Sequence, residues 1–203
     1  MSLVLDHTET DTRSRIIVIA ERLFREIGYQ KTTVADIAKV LKMSPANVYR
    51  FFDSKSAIHR AVAQRLMSEV EAAVETIAAE PLSATDRLRE ILATIHHMNA
   101  ERYVGDAKLH EMVACAMEEN WDICDAHLAR LGEMTGRVIA EGVAAGEFKP
   151  CDLELTTKCV SMSMCRFFHP QMIAQCAEKT KQIDVPINDM IEFLIAAISV
   201  PKR

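Results

Sequence analysis

The chain has 203 residues, 49% of them hydrophobic, with six glycines and six prolines. That leaves room for one large or two small domains with an ample core, and no run of about 18 apolar residues offers a membrane span. The net charge of −5 hides a division: residues 13–60 hold 10 Lys and Arg against 4 Asp and Glu, and residues 61–203 hold 14 against 22. A basic first quarter on an acidic body suits a phosphate-facing module joined to one that avoids phosphate.

Residues 1–12, MSLVLDHTETDT, are polar and acidic. They are unlike a signal peptide and are expected to form a flexible tail on a cytoplasmic protein. Ile16, Ile19, Ala20, Leu23, Phe24 and Ile27 then recur at helical spacing and stop at Gly28. Val34, Ile37, Ala38 and Leu41 repeat the pattern. Thr33 ahead of them, with Asp36 three residues on, predicts a capping box in which Asp replaces Glu. Ser44 followed by Pro45 is a preferred N-cap and first-turn pair. In the short helix they open, Val48, Phe51 and Phe52 can face a core, while Asn47 and Arg50 share the other side with the small Pro45 and Ala46. A major groove admits such a helix, and Asn and Arg match adenine and guanine edges. The pattern predicts a helix-turn-helix.

These residues resemble the TetR (tetracycline-repressor-like) family of transcriptional regulators. The likeness begins with TRSRIIVIAERLFREIGYQKTT and continues through VYRFFDSKSAI, residues 48–58, the family's "VYxxFxSKxxL" signature. The resemblance implies an all-α protein: a three-helix DNA-binding domain over residues 13–58, then a helical bundle over residues 59–203 for effector binding and dimerisation. The family's turn normally holds Gly where Lys42 stands, so Lys42 is expected at positive φ. Ala46 replaces a frequent Gly.

The implied DNA-binding residues are Thr33, Ser44, Pro45, Ala46, Asn47, Tyr49, Arg50 and Lys55. Asn47 and Arg50 are candidates for base contact, and Tyr49 resembles the family's phosphate-contacting tyrosine. Thr33 and Lys55 sit at helix N-termini, where N–H groups and the helix dipole favour a phosphate. Simple capping is an alternative for Thr33 and Ser44, and partial core packing for Tyr49.

Further helices are predicted at Lys55–Ala79, Ser83–Tyr103, Ala107–Met117, Asp122–Ala145, Asp152–Phe168 and Ile187–Val200. The last two are apolar on more than one face, which calls for burial on most sides. This fits the family's four-helix dimer interface, for which Cys159, Met162, Phe167, Met190, Phe193, Leu194, Ala197 and Ile198 are candidates. A deeply internal helix within one chain is the alternative. The implied effector site has candidate walls at His97, Met98, Met112, Cys115, Trp121, Met164, Arg166, Phe168 and His169. Soft, adaptable Met and Cys suit a pliable cavity, although a Met at helical spacing also serves as plain core. Arg166 can equally form an ion pair.

The six cysteines form no C-x-x-C pair, so no zinc framework is legible. No metal or cofactor is expected, and thiol-redox or metal sensing is the alternative within the same fold. No nucleophile elbow or phosphate loop supports an enzyme. A helical binding protein without DNA binding is a rival of another class. The reading is a dimeric regulator of double-stranded DNA, a repressor on a palindromic operator, released by an apolar or amphipathic small molecule.

Overall fold

The computed structural model describes residues 3–103, Lys108, Met112, 121–169, 172–173 and 185–201. Helices follow one another as α1 (Leu3–Ile27), α2 (Val34–Val40), α3 (Pro45–Tyr49), α4 (Lys55–Ala78) and α5 (Ala84–Tyr103). After these come α6 (Trp121–Ala144), α7 (Leu153–Ser163), α8 (Cys165–Phe168) and α9 (Ile187–Ile198). No strand occurs among the described residues, where the one extended pairing is an isolated bridge between Phe148 and Ser199. The fold is all-α, as expected. The helix predicted over Ala107–Met117 lies outside the described residues, apart from Lys108 and Met112.

Two compact units divide the chain. The first holds the described residues up to Leu66 with Lys108, Met112 and Trp121, and the second those from Met67 to 103 and from Asp122 onward. The division therefore falls within α4, later than the boundary expected after Ile58. A second difference lies at the start. Helix α1 begins at Leu3 and runs through the residues expected to fray, a stretch with neither Gly nor Pro to stop it.

In the first unit, Ile16, Ala20, Leu23 and Phe24 of α1 meet Val34, Ile37 and Ala38 of α2, Val48 of α3, and Phe52, Ile58 and Val62 beyond it, all buried. Ile27 stays partly exposed at 39%, so the buried stripe of α1 is narrower than its apolar pattern. Gly28, at φ 102°, ends α1. Its carbonyl then accepts from both the Thr32 amide and the Thr32 hydroxyl, at 3.1 and 2.7 Å. His59 is fully buried, its ring stacked on Tyr29 at 4.1 Å, and its Nε2 donates to the Met112 carbonyl at 2.8 Å.

The second unit packs Val70, Val74 and Ala78 of α4 against Leu88, Ile91 and Leu92 of α5, Val138 and Ile139 of α6, and Ile191 and Ile195 of α9. The N-terminus of α5 is closed from a distance. The Glu147 carboxylate accepts from the Ala84 and Thr85 amides at 3.0 and 2.9 Å and from the Thr85 hydroxyl at 2.7 Å. Burial would raise the Glu147 pKa, but those hydrogen bonds and Arg87 nearby outweigh it and hold it below the ordinary value. This joint brings the Phe148 ring close against Gly142. A Cβ at Gly142 would come within 2.2 Å of the Phe148 ring and 2.9 Å of the Ala84 side chain.

The helix predicted over Asp152–Phe168 is broken at Met164, which caps α7 and opens α8. Met164 is fully buried, and the break lets Phe167 turn into the same core.

Helix α4 is also tied to α6 by charge. Glu71 accepts from His127 Nδ1 at 2.6 Å and from Arg130 through two hydrogen bonds at 2.7 and 2.8 Å. One turn on, Glu75 takes Arg137 at 2.8 Å. For His127, burial lowers the pKa and Arg130 adds to that, against the pull of Glu71. For Glu71, burial works upward but the Arg130 and His127 hydrogen bonds prevail, so its pKa is lowered.

Two outcomes are expected. Gly142→Ala should destabilise the second unit by about 1–3 kcal/mol, read by denaturant titration. Because folding favours neutral His127 and ionised Glu71, stability should fall as pH drops below about 6.5, first through histidine protonation and then through the lowered carboxylate. His127→Gln should flatten the upper part of that profile; an unchanged slope between about pH 7 and 5 would remove His127 from the account.

Candidate nucleic-acid interface

The helix-turn-helix is built from local rules that its sequence obeys. Thr33 caps α2: its hydroxyl accepts from the Asp36 amide at 3.2 Å, while the Asp36 carboxylate accepts from the Thr33 amide at 2.9 Å. The Thr33 hydroxyl and amide, as donors, hold the Asp36 carboxyl below its ordinary pKa. The end of α2 is a Schellman motif. The Met43 amide reaches the Ala38 carbonyl at 3.0 Å, and the Lys42 amide reaches that of Lys39 at 3.2 Å. Lys42 stands at φ 56°, the left-handed conformation expected of it and one that costs about 1 kcal/mol for a residue with a Cβ.

Ser44 then caps α3, its hydroxyl accepting from the Asn47 amide at 3.2 Å, with Pro45 in the first turn. Val48 is completely buried, and Phe52 behind it nearly so. Buried Val48 fixes the roll of a helix only five residues long, and Pro45, Ala46, Asn47, Tyr49 and Arg50 are left exposed. Tyr49 keeps 49% of its surface exposed.

The Lys55 side chain has a structural task of its own. Its ammonium donates to the carbonyls of Tyr29, Gln30 and Thr32 at 3.0, 3.3 and 3.1 Å and lies 4.5 Å from the centre of the Tyr29 ring. An ammonium has three donors, and here each has a partner. The side chain organises the α1–α2 loop rather than standing ready for a phosphate. What remains for an anion at this place is the backbone of the first turn of α4, opened by Ser54, whose hydroxyl accepts from the Ala57 amide at 3.0 Å.

A family model described as "Bacterial regulatory proteins, tetR family" matches residues 16–62, and a second, "Tetracyclin repressor-like, C-terminal domain", matches residues 84–185. The chain belongs to the TetR family. The HTH-type transcriptional regulator TcmR of Streptomyces glaucescens is 30% identical over 139 residues, 67% of this chain and 60% of that protein. The uncharacterised HTH-type regulator YhgD of Bacillus subtilis (strain 168) is 23% identical over 154 residues, 72% of this chain and 76% of that one. Among solved structures, SmeT, the repressor of the Stenotrophomonas maltophilia multidrug efflux pump SmeDEF, superposes with a TM-score of 0.67 at 17% identity, covering 93% of this chain and 90% of its own. The protein is thus a DNA-binding transcriptional regulator of the TetR family.

The residues expected to line an effector site scatter. Met164 is locked in the core, Met112 belongs to the first unit, and His97 and Arg166 are exposed. Cys115 and the Trp121 side chain lie outside the described residues. Met98 and Phe168 pack on the core of the second unit, and the Phe168 carbonyl accepts from Asn99 at 2.9 Å. His169 is half-buried, which lowers its pKa, and its Nδ1 is buried without a hydrogen bond among the described residues. Sequence reasoning missed a groove of about 450 Å³ lined by Ser68, Glu71, Ala72, Glu75, Arg130, Glu133, Met134 and Arg137. Its signal was the run of glutamates along α4.

The dimer-face candidates also divide. Cys159, Met162, Phe193 and Ala197 are exposed, Met162 at 77% and Phe193 at 68%. Phe167 and Leu194 are buried in the protomer's own core, while Met190 and Ile198 pack partly against it. The apolar pattern on α7, α8 and α9 serves an internal face as well as an outer one. Of the cysteines, Cys124 is buried and its thiol is pushed up by burial and by Asp122 and Asp125, which disfavours a reactive thiolate.

Lys55→Met should lower the stability of the first unit by about 2 kcal/mol, since three carbonyls lose a charged donor. Thermal melting checks this; an unchanged melting temperature would remove the three carbonyl contacts from the account of the loop.

Proposed function

We propose that the protein is a homodimeric repressor that occupies a palindromic operator and is released by a small molecule. The observation that carries the DNA-reading part is the capped, inward-anchored α3, which leaves Asn47, Tyr49 and Arg50 exposed on one short helix. Asn47 and Arg50 read base edges, and Tyr49 and the Thr33 end of α2 hold phosphates. Two copies pair through the outer faces of α7 and α9, where Met162 and Phe193 are exposed, and so present two reading helices to a symmetric site.

An apolar or amphipathic effector enters the second unit, with Met98, Phe168 and His169 as the remaining wall candidates. It must bind the DNA-incompetent state better than the competent one, because a ligand with equal affinity for both shifts nothing. SmeT is a repressor by its own description, and that support is by likeness of fold alone.

Binding-site selection on random and genomic DNA, followed by footprinting, tests the reading. A palindrome protected on both halves is expected, with affinity falling steeply with salt. Arg50→Ala should relax selectivity at one base position of each half-site by about 1–3 kcal/mol. Weak binding with no sequence preference, from protein freed of small molecules, would sink the proposal.

A further inference from the structure

Arg13 lies on α1, ahead of the segment 16–62 matched by the family model. Its guanidinium sits over the Phe52 ring, 4.6 Å from the centroid. Phe52 is buried and follows Arg50 by two residues. The Cα atoms of Arg50 and Phe52 are at most about 7.6 Å apart, so the charge over the Phe52 ring lies near the C-terminal end of the reading helix.

Three other arginines of the first unit are paired with carboxylates. Arg22 pairs with Glu26, and Glu21 receives both Arg25 and Arg65. Arg13 is exposed and makes no hydrogen bond or ion pair among the described residues. An aromatic face holds a cation in place without cancelling its charge. The guanidinium is thus fixed in position with its donors unengaged by those residues, and a planar fork of donors matches a phosphate. A helix seated in a major groove has a phosphate backbone on each wall.

We propose that Arg13 is a further DNA-contacting residue, a phosphate ligand flanking the C-terminal end of α3 and held ready by Phe52. The assignment rests on α3 being the reading helix. Arg13 adds affinity and register and reads no base.

The test measures operator and scrambled-duplex binding from about 50 to 200 mM salt for Arg13→Met, Arg13→Lys and Arg50→Ala. Methionine keeps apolar cover on Phe52 and removes the charge, and melting temperature confirms that the variant is folded. Arg13→Met should weaken both duplexes alike, on the order of threefold to tenfold, and make the slope of log K against log salt shallower by about one per protomer. Arg13→Lys should keep the wild-type slope. Wild-type affinity and slope in Arg13→Met, while Arg50→Ala still loses selectivity, would overturn the proposal and leave α3 as the reader. A loss confined to one base position would overturn the phosphate role. If Arg50→Ala changes nothing either, the assignment of α3 fails and takes the proposal with it.

Discussion

The DNA-facing half of this molecule depends on one half-buried lysine. Lys55 opens α4 and reaches back to three carbonyls of the α1–α2 loop. Those carbonyls follow the end of α1 and precede the capping box of α2, so one ammonium sets where α2 starts relative to α4. Helix α3 is too short to hold itself: an isolated helix of five residues is far below the length that is stable in water. Its orientation is inherited from α2 through the Lys42 turn and from the core of the first unit through buried Val48 and Phe52. The strained φ of Lys42 persists because both sides of the turn are fixed.

The second unit solves a different problem with the same means. Its core is apolar, but its corners are set by charge at helix ends. Glu147 supplies the acceptors for two amides at the start of α5, and Arg87 donates to the Ala78 carbonyl at the end of α4 at 2.7 Å. Both residues close the α4–α5 connection. The close approach of Phe148 to Gly142 follows from that corner, since Glu147 cannot reach α5 unless its neighbour lies against α6.

What the sequence made legible was local. The caps at Thr33 and Ser44, the αL residue at Lys42 and the inward set Val48 and Phe52 depend on neighbours a few residues away, and spacing alone exposes them. The role of Lys55 does not, because its partners lie more than twenty residues back and its place at a helix N-terminus suggests a phosphate equally well. The break at Met164 was hidden, since the apolar period continues across it and no Gly or Pro marks it. The inward place of Phe167 and Leu194 was hidden for a related reason: a helix apolar around most of its girth does not say which side meets its own chain. The effector wall was the least legible part, as Met164 illustrates, because a methionine that fills a core and one that lines a cavity have the same sequence context.

The size of α3 bears on how many copies must act together. One protomer offers two side chains suited to base edges, Asn47 and Arg50. At about 1–3 kcal/mol of discrimination for each good pairing, one copy supplies about 2–6 kcal/mol. Specific regulators exceed their own non-specific binding by about 4–10 kcal/mol. A single reading head of this kind reaches only the lower part of that range, while two heads on a symmetric site reach across it. The brevity of α3 is therefore itself an argument for pairing, independent of the exposed Met162 and Phe193 on the other unit. It also means that phosphate contacts from residues outside α3 must carry much of the affinity, because so short a helix has little surface left with which to supply it.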